Sequence, residues 1–108
     1  MNLLFVCSKN KWRSRTAETI LKNSQAHKVR SAGTDAGSNV RLTADLLAWA
    51  DLVFVMEKKH KELIREKFHE AFEDSNIVVL DIPDEYQYMD EDLVLCLKNG
   101  ITPYVGEL

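Results

Sequence analysis

Only two cysteines, Cys7 and Cys96, and four glycines occur among the 108 residues. Two thiols cannot build the disulfide framework that staples small secreted domains. No apolar run approaches the ~20 residues needed to cross a bilayer. No signal-type segment opens the chain, because Met1-Asn2 leads straight into apolar residues, so a cytoplasmic location is expected, where a free thiol survives. Repeats and low-complexity tracts are absent too. The three histidines, His27, His60 and His69, show no metal-ligand spacing with cysteines or acids, and His60 and His69 are expected on the polar side of a helix. No metal is expected. A net charge of -3 argues against a general nucleic-acid binder. None of the glycines lies between Cys7 and Arg13, so a glycine-rich nucleotide loop is not supported.

What is present is ordinary for a globular chain: 45% hydrophobic and 29% charged residues, enough for one domain over residues 1–108 with a single core. Against the overall negative charge, Lys9, Lys11, Arg13 and Arg15 crowd into one short stretch. Local positive charge on an acidic protein favours an anionic ligand.

The apolar run Leu3-Leu4-Phe5-Val6 before Cys7 reads as a buried strand. From Ser14 onward, Ala17, Ile20 and Leu21 recur at helical spacing. The residues between therefore join the C-terminal end of a strand to a helix N-terminus, where open α/β sheets bind ligands. Free N–H groups there make an anion site, and Arg13 adds a planar two-pronged donor that matches phosphate oxygens. Such surroundings, with a hydroxyl from Ser14, favour a cysteine thiolate. A cysteine at a strand end is often just a small core residue. The strand–loop–helix setting favours the nucleophile instead.

The remaining chain alternates strand and helix. A first helix is expected from Ser14 to Asn23, a strand from Lys28 to Ser31, a helix from Thr43 to Ala48, and a strand from Asp51 to Met56. A long amphipathic helix follows from Lys58 to Phe72, then the β-branched strand Asn76 to Leu80 and an acidic loop, Asp81 to Tyr88. The last helix starts near Asp90 and is expected to end at Asn99-Gly100, leaving Ile101 to Leu108 as a tail that packs loosely or mediates contacts. Alternating strands and helices predict an α/β fold: one open parallel sheet of four strands in the order 2-1-3-4, helices on both faces. Loops after parallel strands gather at one sheet edge, so Asp81 and Asp84 are both within reach of Cys7 as proton donors to a leaving oxygen.

In these residues the chain resembles the low-molecular-weight protein tyrosine phosphatases. Their signature is an apolar strand, a cysteine, five residues and Arg-Ser, here Cys7 to Arg13-Ser14, with Asn10 at the position of the family's asparagine. Val29-Arg30-Ser31-Ala32-Gly33-Thr34, then Ala50 to Met56, then the acidic loop follow in family order. The chain departs from the pattern at Trp12, where a second cysteine is common, at Lys9 for the usual glycine and at Arg15 for the usual proline. The segment between Thr34 and Trp49 is also short.

The resemblance implies a flavodoxin-like fold and a cofactor-free hydrolase that cleaves phosphate monoesters through a phosphocysteine intermediate. Cys7 is the implied nucleophile, Arg13 the oxyanion clamp, and Asp84 the preferred acid, because it stands at the family's distance ahead of the last helix; Asp81 is its rival. Ser8, Lys9, Asn10, Lys11, Trp12, Ser14 and Tyr86 form the implied substrate-binding set; Trp12, Tyr86 and Tyr88 are either walls for a phenyl ring or ordinary half-buried aromatics, the latter favoured for Tyr88. The implied substrate is a phosphotyrosine protein or a small aryl phosphate, with neither nucleic acid nor membrane as partner. Two other readings stand beside it: a catalytically idle phosphate-binding module, and an arsenate reductase, which needs two more cysteines where only Cys96 remains. A sugar-transport phosphocarrier would have no need of Arg13 or the acid.

Overall fold

In the computed structural model, which describes residues 1–106, four parallel strands form one sheet in the order β2-β1-β3-β4. The strands are β1 (Asn2–Cys7), β2 (Lys28–Gly33), β3 (Leu52–Val55) and β4 (Ile77–Val79). The helices are α1 (Arg13–Leu21), α2 (Ala44–Trp49), α3 (Lys58–Lys67) and α4 (Glu91–Val105). The expected order 2-1-3-4 is what the chain adopts.

Strand alternation sorts the core into two layers. From β1, Leu3, Phe5 and Cys7 join a cluster with Ala17 and Leu21 of α1 and Leu93, Leu97 and Ile101 of α4. The intervening Leu4 and Val6 join Leu47 of α2 and Ile64 of α3 on the opposite face. In β3, Phe54 belongs to the first layer and Val53 and Val55 to the second. Phe5 and Phe54 stack with ring centroids 5.1 Å apart and are fully buried. Truncating either ring to alanine costs roughly 3–5 kcal/mol, typical of a core phenylalanine. Register places Cys7 beside Gly33 on β2, at the strand's C-terminal end. Gly33 has no room for a side chain, since a Cβ there would stand 2.7 Å from the Ser8 carbonyl oxygen.

Three expectations are corrected. Helix α3 stops at Lys67 instead of Phe72: Phe68 leaves helical geometry while its N–H still reaches the Ile64 carbonyl at 2.8 Å. The chain then turns so that Phe68, Ala71 and Phe72 pack on the second layer. Helix α4 runs straight through Asn99-Gly100 to Val105. Gly100 lies against Leu80, just past β4; Leu80 Cδ2 would be 2.9 Å from a Cβ and would have to shift to admit one. Continuing the helix buries Ile101 completely, so the expected loose tail is helical as far as Val105. Gly106, at φ 85°, ends it; residues 107 and 108 lie outside the described part. The third correction is His60, which is not on a polar face but 1% exposed.

Candidate active site

The C-terminal ends of β1, β3 and β4 open on one edge, and a cavity of about 140 Å³ lies there. Cys7, Ser8, Lys9, Lys11, Trp12, Arg13 and Asp84 line it. The fold therefore brings six residues of the segment from Cys7 to Arg13 against a single carboxylate from a loop some seventy positions later in sequence. Asn10 and Ser14 lie beneath the cavity, buried.

Cys7 Sγ sits 3.0 Å from Ser14 Oγ and 3.3 Å from the Asn10 N–H, which donates to it. Asn10 reaches that position with φ 54°, a left-handed conformation that asparagine tolerates better than most residues. The Asn10 amide also donates to Ser14 Oγ at 2.8 Å and Ser31 Oγ at 2.9 Å. Ser14 Oγ is thereby an acceptor from Asn10, which leaves its own proton for the sulfur. Ser31 in turn donates to Glu18 Oε1 at 2.7 Å. Donation spreads from the Asn10 amide in two directions, through Ser31 to the Glu18 carboxylate on α1 and through Ser14 to the sulfur.

Helix α1 starts just beyond the loop with no side chain capping its N-terminus. Its first N–H groups are open toward an anion. Arg13, the first helical residue, is 2% exposed. Its Nη1 donates to Glu57 Oε2 at 2.7 Å and to the Ile82 carbonyl at 2.8 Å. Nε and Nη2 hydrogen-bond to no protein acceptor among the described residues. One edge of the fork is anchored and the other is free for two oxygens.

Ile82 is buried, and its N–H donates to the Met56 carbonyl at 2.8 Å, which ties the acidic loop to the end of β3. Two residues further on, Asp84 lines the cavity with Oδ1 3.8 Å from Arg13 Nε. Asp81 is exposed, has φ 57°, and lies outside the lining. Of the aromatic candidates, Trp12 stands at the cavity, 41% exposed. Tyr86 is not among the lining residues; a hydrogen bond with Cys96 holds its phenol above the ordinary range. Tyr88 lies over α1, its hydroxyl 2.7 Å from Thr19 Oγ1 and its ring under Arg15.

Glu57, His60, Ser31 and Glu18 were missed by sequence reasoning. Glu57 had a usable signal, since it follows directly on β3 at the edge where ligands bind. Its carboxyl is held below the usual range, chiefly by the hydrogen bond from Arg13. Burial, and secondarily the charge of Arg13, lower His60 from 6.5 to about 4. Unfolded, His60 takes up a proton near its ordinary value, whereas folded it stays neutral down to about 4. Stability therefore falls as pH drops from 6.5 toward 4, by roughly 3 kcal/mol at most. Glu57 acts in the same direction lower down: its contribution is present above the unfolded value and lost as pH falls through the folded one. Urea unfolding of wild type and His60→Asn between pH 7 and 4.5 checks this. The variant is expected to show a flatter pH dependence above pH 5; an identical slope would mean that His60 is not buried neutral.

No family model matches the chain, and no curated protein matches it in sequence. Solved structures do. The arginine phosphatase YwlE from Geobacillus stearothermophilus is 26% identical, with 94% of this chain and 86% of that one covered at a TM-score of 0.71. The tyrosine phosphatase Wzb from Escherichia coli K30, solved with phosphate, is 23% identical over 95% and 94% of the two chains, TM-score 0.77. A low molecular weight protein tyrosine phosphatase from Streptococcus pyogenes is 18% identical over 96% and 90%, TM-score 0.79. Fold and site define an α/β protein whose β1–α1 strand–loop–helix segment lines a cavity together with Asp84. More particularly, the chain has the fold of the low-molecular-weight protein tyrosine phosphatases, the family that its sequence resembles.

Proposed function

We propose that this protein is a cysteine-dependent phosphatase that hydrolyses phosphate monoesters, with aryl phosphates such as phosphotyrosine, free or in a protein, as substrates. The observation that carries the reading is the convergence on one cavity of a sulfur held by two donors, the free edge of Arg13 and the Asp84 carboxyl. Cys7 Sγ attacks phosphorus, and an S–P bond forms as the P–O bond to the leaving group breaks. Arg13 Nε and Nη2 and the N–H groups of the loop hold the non-bridging oxygens, where charge builds up. Asp84 gives its proton to the departing oxygen. Water then attacks the phosphocysteine, Asp84 takes the water's proton, the S–P bond breaks, and inorganic phosphate leaves. Ser14 stabilises the thiolate in both states. A reduced thiol is required throughout, which fits a cytoplasmic setting, and no helix among the described residues is long and apolar enough to cross a membrane.

Hydrolysis of a nitrophenyl phosphate, followed in rapid mixing, tests this. A burst of about one nitrophenolate per protein, with the protein trapped as a phosphocysteine, is the expected result. Phosphate binding without turnover would leave an idle binding module.

A second substrate class deserves the same assay, because the arginine phosphatase YwlE is among the structural relatives. A phosphoarginine leaving group is a guanidine. Lys9 and Lys11 line the mouth, and neither has a carboxylate within salt-bridge distance among the described residues. Two uncompensated cations disfavour a guanidinium and leave a neutral phenol unaffected, so the aryl ester is expected to have the higher kcat/KM.

The clamp gives a further prediction. Arg13→Lys keeps the charge but cannot hold Glu57 and Ile82 with one edge while presenting another to the phosphate. Aryl phosphate turnover is expected to fall by roughly a hundredfold, with weaker phosphate binding. A near-normal rate in steady-state assays would make Arg13 a structural residue.

A further inference from the structure

The mechanism above leaves His60 unused, although both its ring nitrogens are engaged in a buried position. The Glu57 N–H donates to His60 Nδ1 at 3.0 Å. A backbone amide can only donate, so Nδ1 is the unprotonated nitrogen and the neutral ring carries its hydrogen on Nε2. That hydrogen faces Ser8 Oγ at 3.0 Å, with the hydroxyl as acceptor. Ser8 thus has its own proton left to give. No protein acceptor takes it among the described residues, and Ser8 lines the cavity above Cys7.

The rest of Ser8 is already fixed. Its carbonyl accepts from the Asp35 N–H at 2.8 Å and from Ser38 Oγ at 3.0 Å. The hydroxyl rotor is the freedom that remains, and His60 removes it. The ring stays neutral because it is buried beside the Arg13 guanidinium; Lys59 acts in the same sense, and Glu57 and Asp35 oppose it. A neutral ring with one fixed tautomer is what a directional donor to Ser8 requires.

We propose that His60 is a positioning residue for phosphate recognition: by donating to Ser8 Oγ, it turns the Ser8 hydroxyl proton into the cavity, onto a non-bridging oxygen of the bound phosphate group. The inference rests on the phosphate-ester reading of the cavity. It adds a side-chain donor, set by α3, to the backbone donors and the Arg13 fork. Nothing in the linear order joins residue 60 to residue 8; only the pairing of β1 with β3 does.

Binding of inorganic phosphate, measured by calorimetry, tests this without relying on turnover. In His60→Asn the amide oxygen can still accept from the Glu57 N–H, but nothing reaches Ser8. In His60→Gln the amide nitrogen stands near the place of Nε2 and can still donate. The dissociation constant for phosphate is expected to rise about tenfold in His60→Asn and in Ser8→Ala, the usual worth of one hydrogen bond to a charged group. His60→Gln should bind within about threefold of wild type. The double variant His60→Asn/Ser8→Ala should bind no more weakly than Ser8→Ala alone, because the two residues act through one hydroxyl.

Unchanged phosphate affinity in His60→Asn overturns the inference and leaves the phosphatase reading intact. So do losses that multiply in the double variant, which would mark independent effects on the fold. If His60→Asn does not fold, His60→Gln and Ser8→Ala decide between them: equal phosphate affinity in the two overturns the proposal. Wild-type protein that binds no phosphate overturns the reading of the cavity itself, and this inference with it.

Discussion

Cys7→Ser is expected to lose turnover of an aryl phosphate by roughly 10⁴-fold or more while still binding inorganic phosphate. The cradle survives the change. Serine occupies nearly the same space, and the donors beneath it, Ser14 Oγ and the Asn10 N–H, do not depend on sulfur. The free edge of Arg13 and the open start of α1 are likewise untouched. What disappears is the nucleophile: a hydroxyl gives up its proton far less readily than a thiol, and two neutral donors cannot make up the difference. Steady-state rates and a phosphate titration on the same preparation check both halves. Residual turnover above about one part in a hundred in a pure variant would remove Cys7 from the chemistry.

The parts of this arrangement that lie close together in sequence were legible in it. The period of two in Leu3 to Cys7 anticipates which side of the sheet each residue faces, and the change to helical spacing at Ser14 locates the loop. The strand order follows from the handedness and brevity of the connections. The supports of the site were hidden because they are contacts across the fold. Glu57 looks like one acid in a charged helix start until β3 delivers it to Arg13. His60 falls on the polar stripe of α3 when read by its 3.6-residue period. That reading fails in a first turn, whose end points at the sheet edge rather than at solvent. Gly100 misled for a related reason. A glycine after an asparagine suggests a helix stop, but here the helix continues so that Ile101 is buried against the sheet, which no local pattern records.

The site is also poised in a way that links its two halves. Arg13 Nη1 is shared by Glu57 of the β3 edge and by the Ile82 carbonyl of the acidic loop. Arg13, the proposed phosphate clamp, therefore also fixes the stem of the loop that carries Asp84. Without ligand, Arg13 Nε and Asp84 Oδ1 face each other at 3.8 Å. A phosphate group entering between them would take the guanidinium edge and face the Asp84 carboxyl.

The leaving group tests which carboxylate is the acid. A general acid matters in proportion to how poor the leaving group is, because a good one departs without a proton. Asp84→Asn is expected to slow phenyl phosphate hydrolysis by roughly 10²–10⁴-fold and nitrophenyl phosphate hydrolysis far less. It should also abolish the alkaline fall in rate that a required proton imposes. Asp81 stands outside the cavity, at φ 57°, one residue before the buried Ile82. Asparagine tolerates that backbone conformation at least as well as aspartate, so Asp81→Asn should leave both rates within a few-fold of wild type and show no dependence on the leaving group. Rates for a series of substituted phenyl phosphates, plotted against the acidity of the phenol, separate the two. A steep slope in Asp81→Asn together with a wild-type slope in Asp84→Asn would assign the proton to the residue at the strand end, and would require the acidic loop to swing about Ile82 when substrate binds.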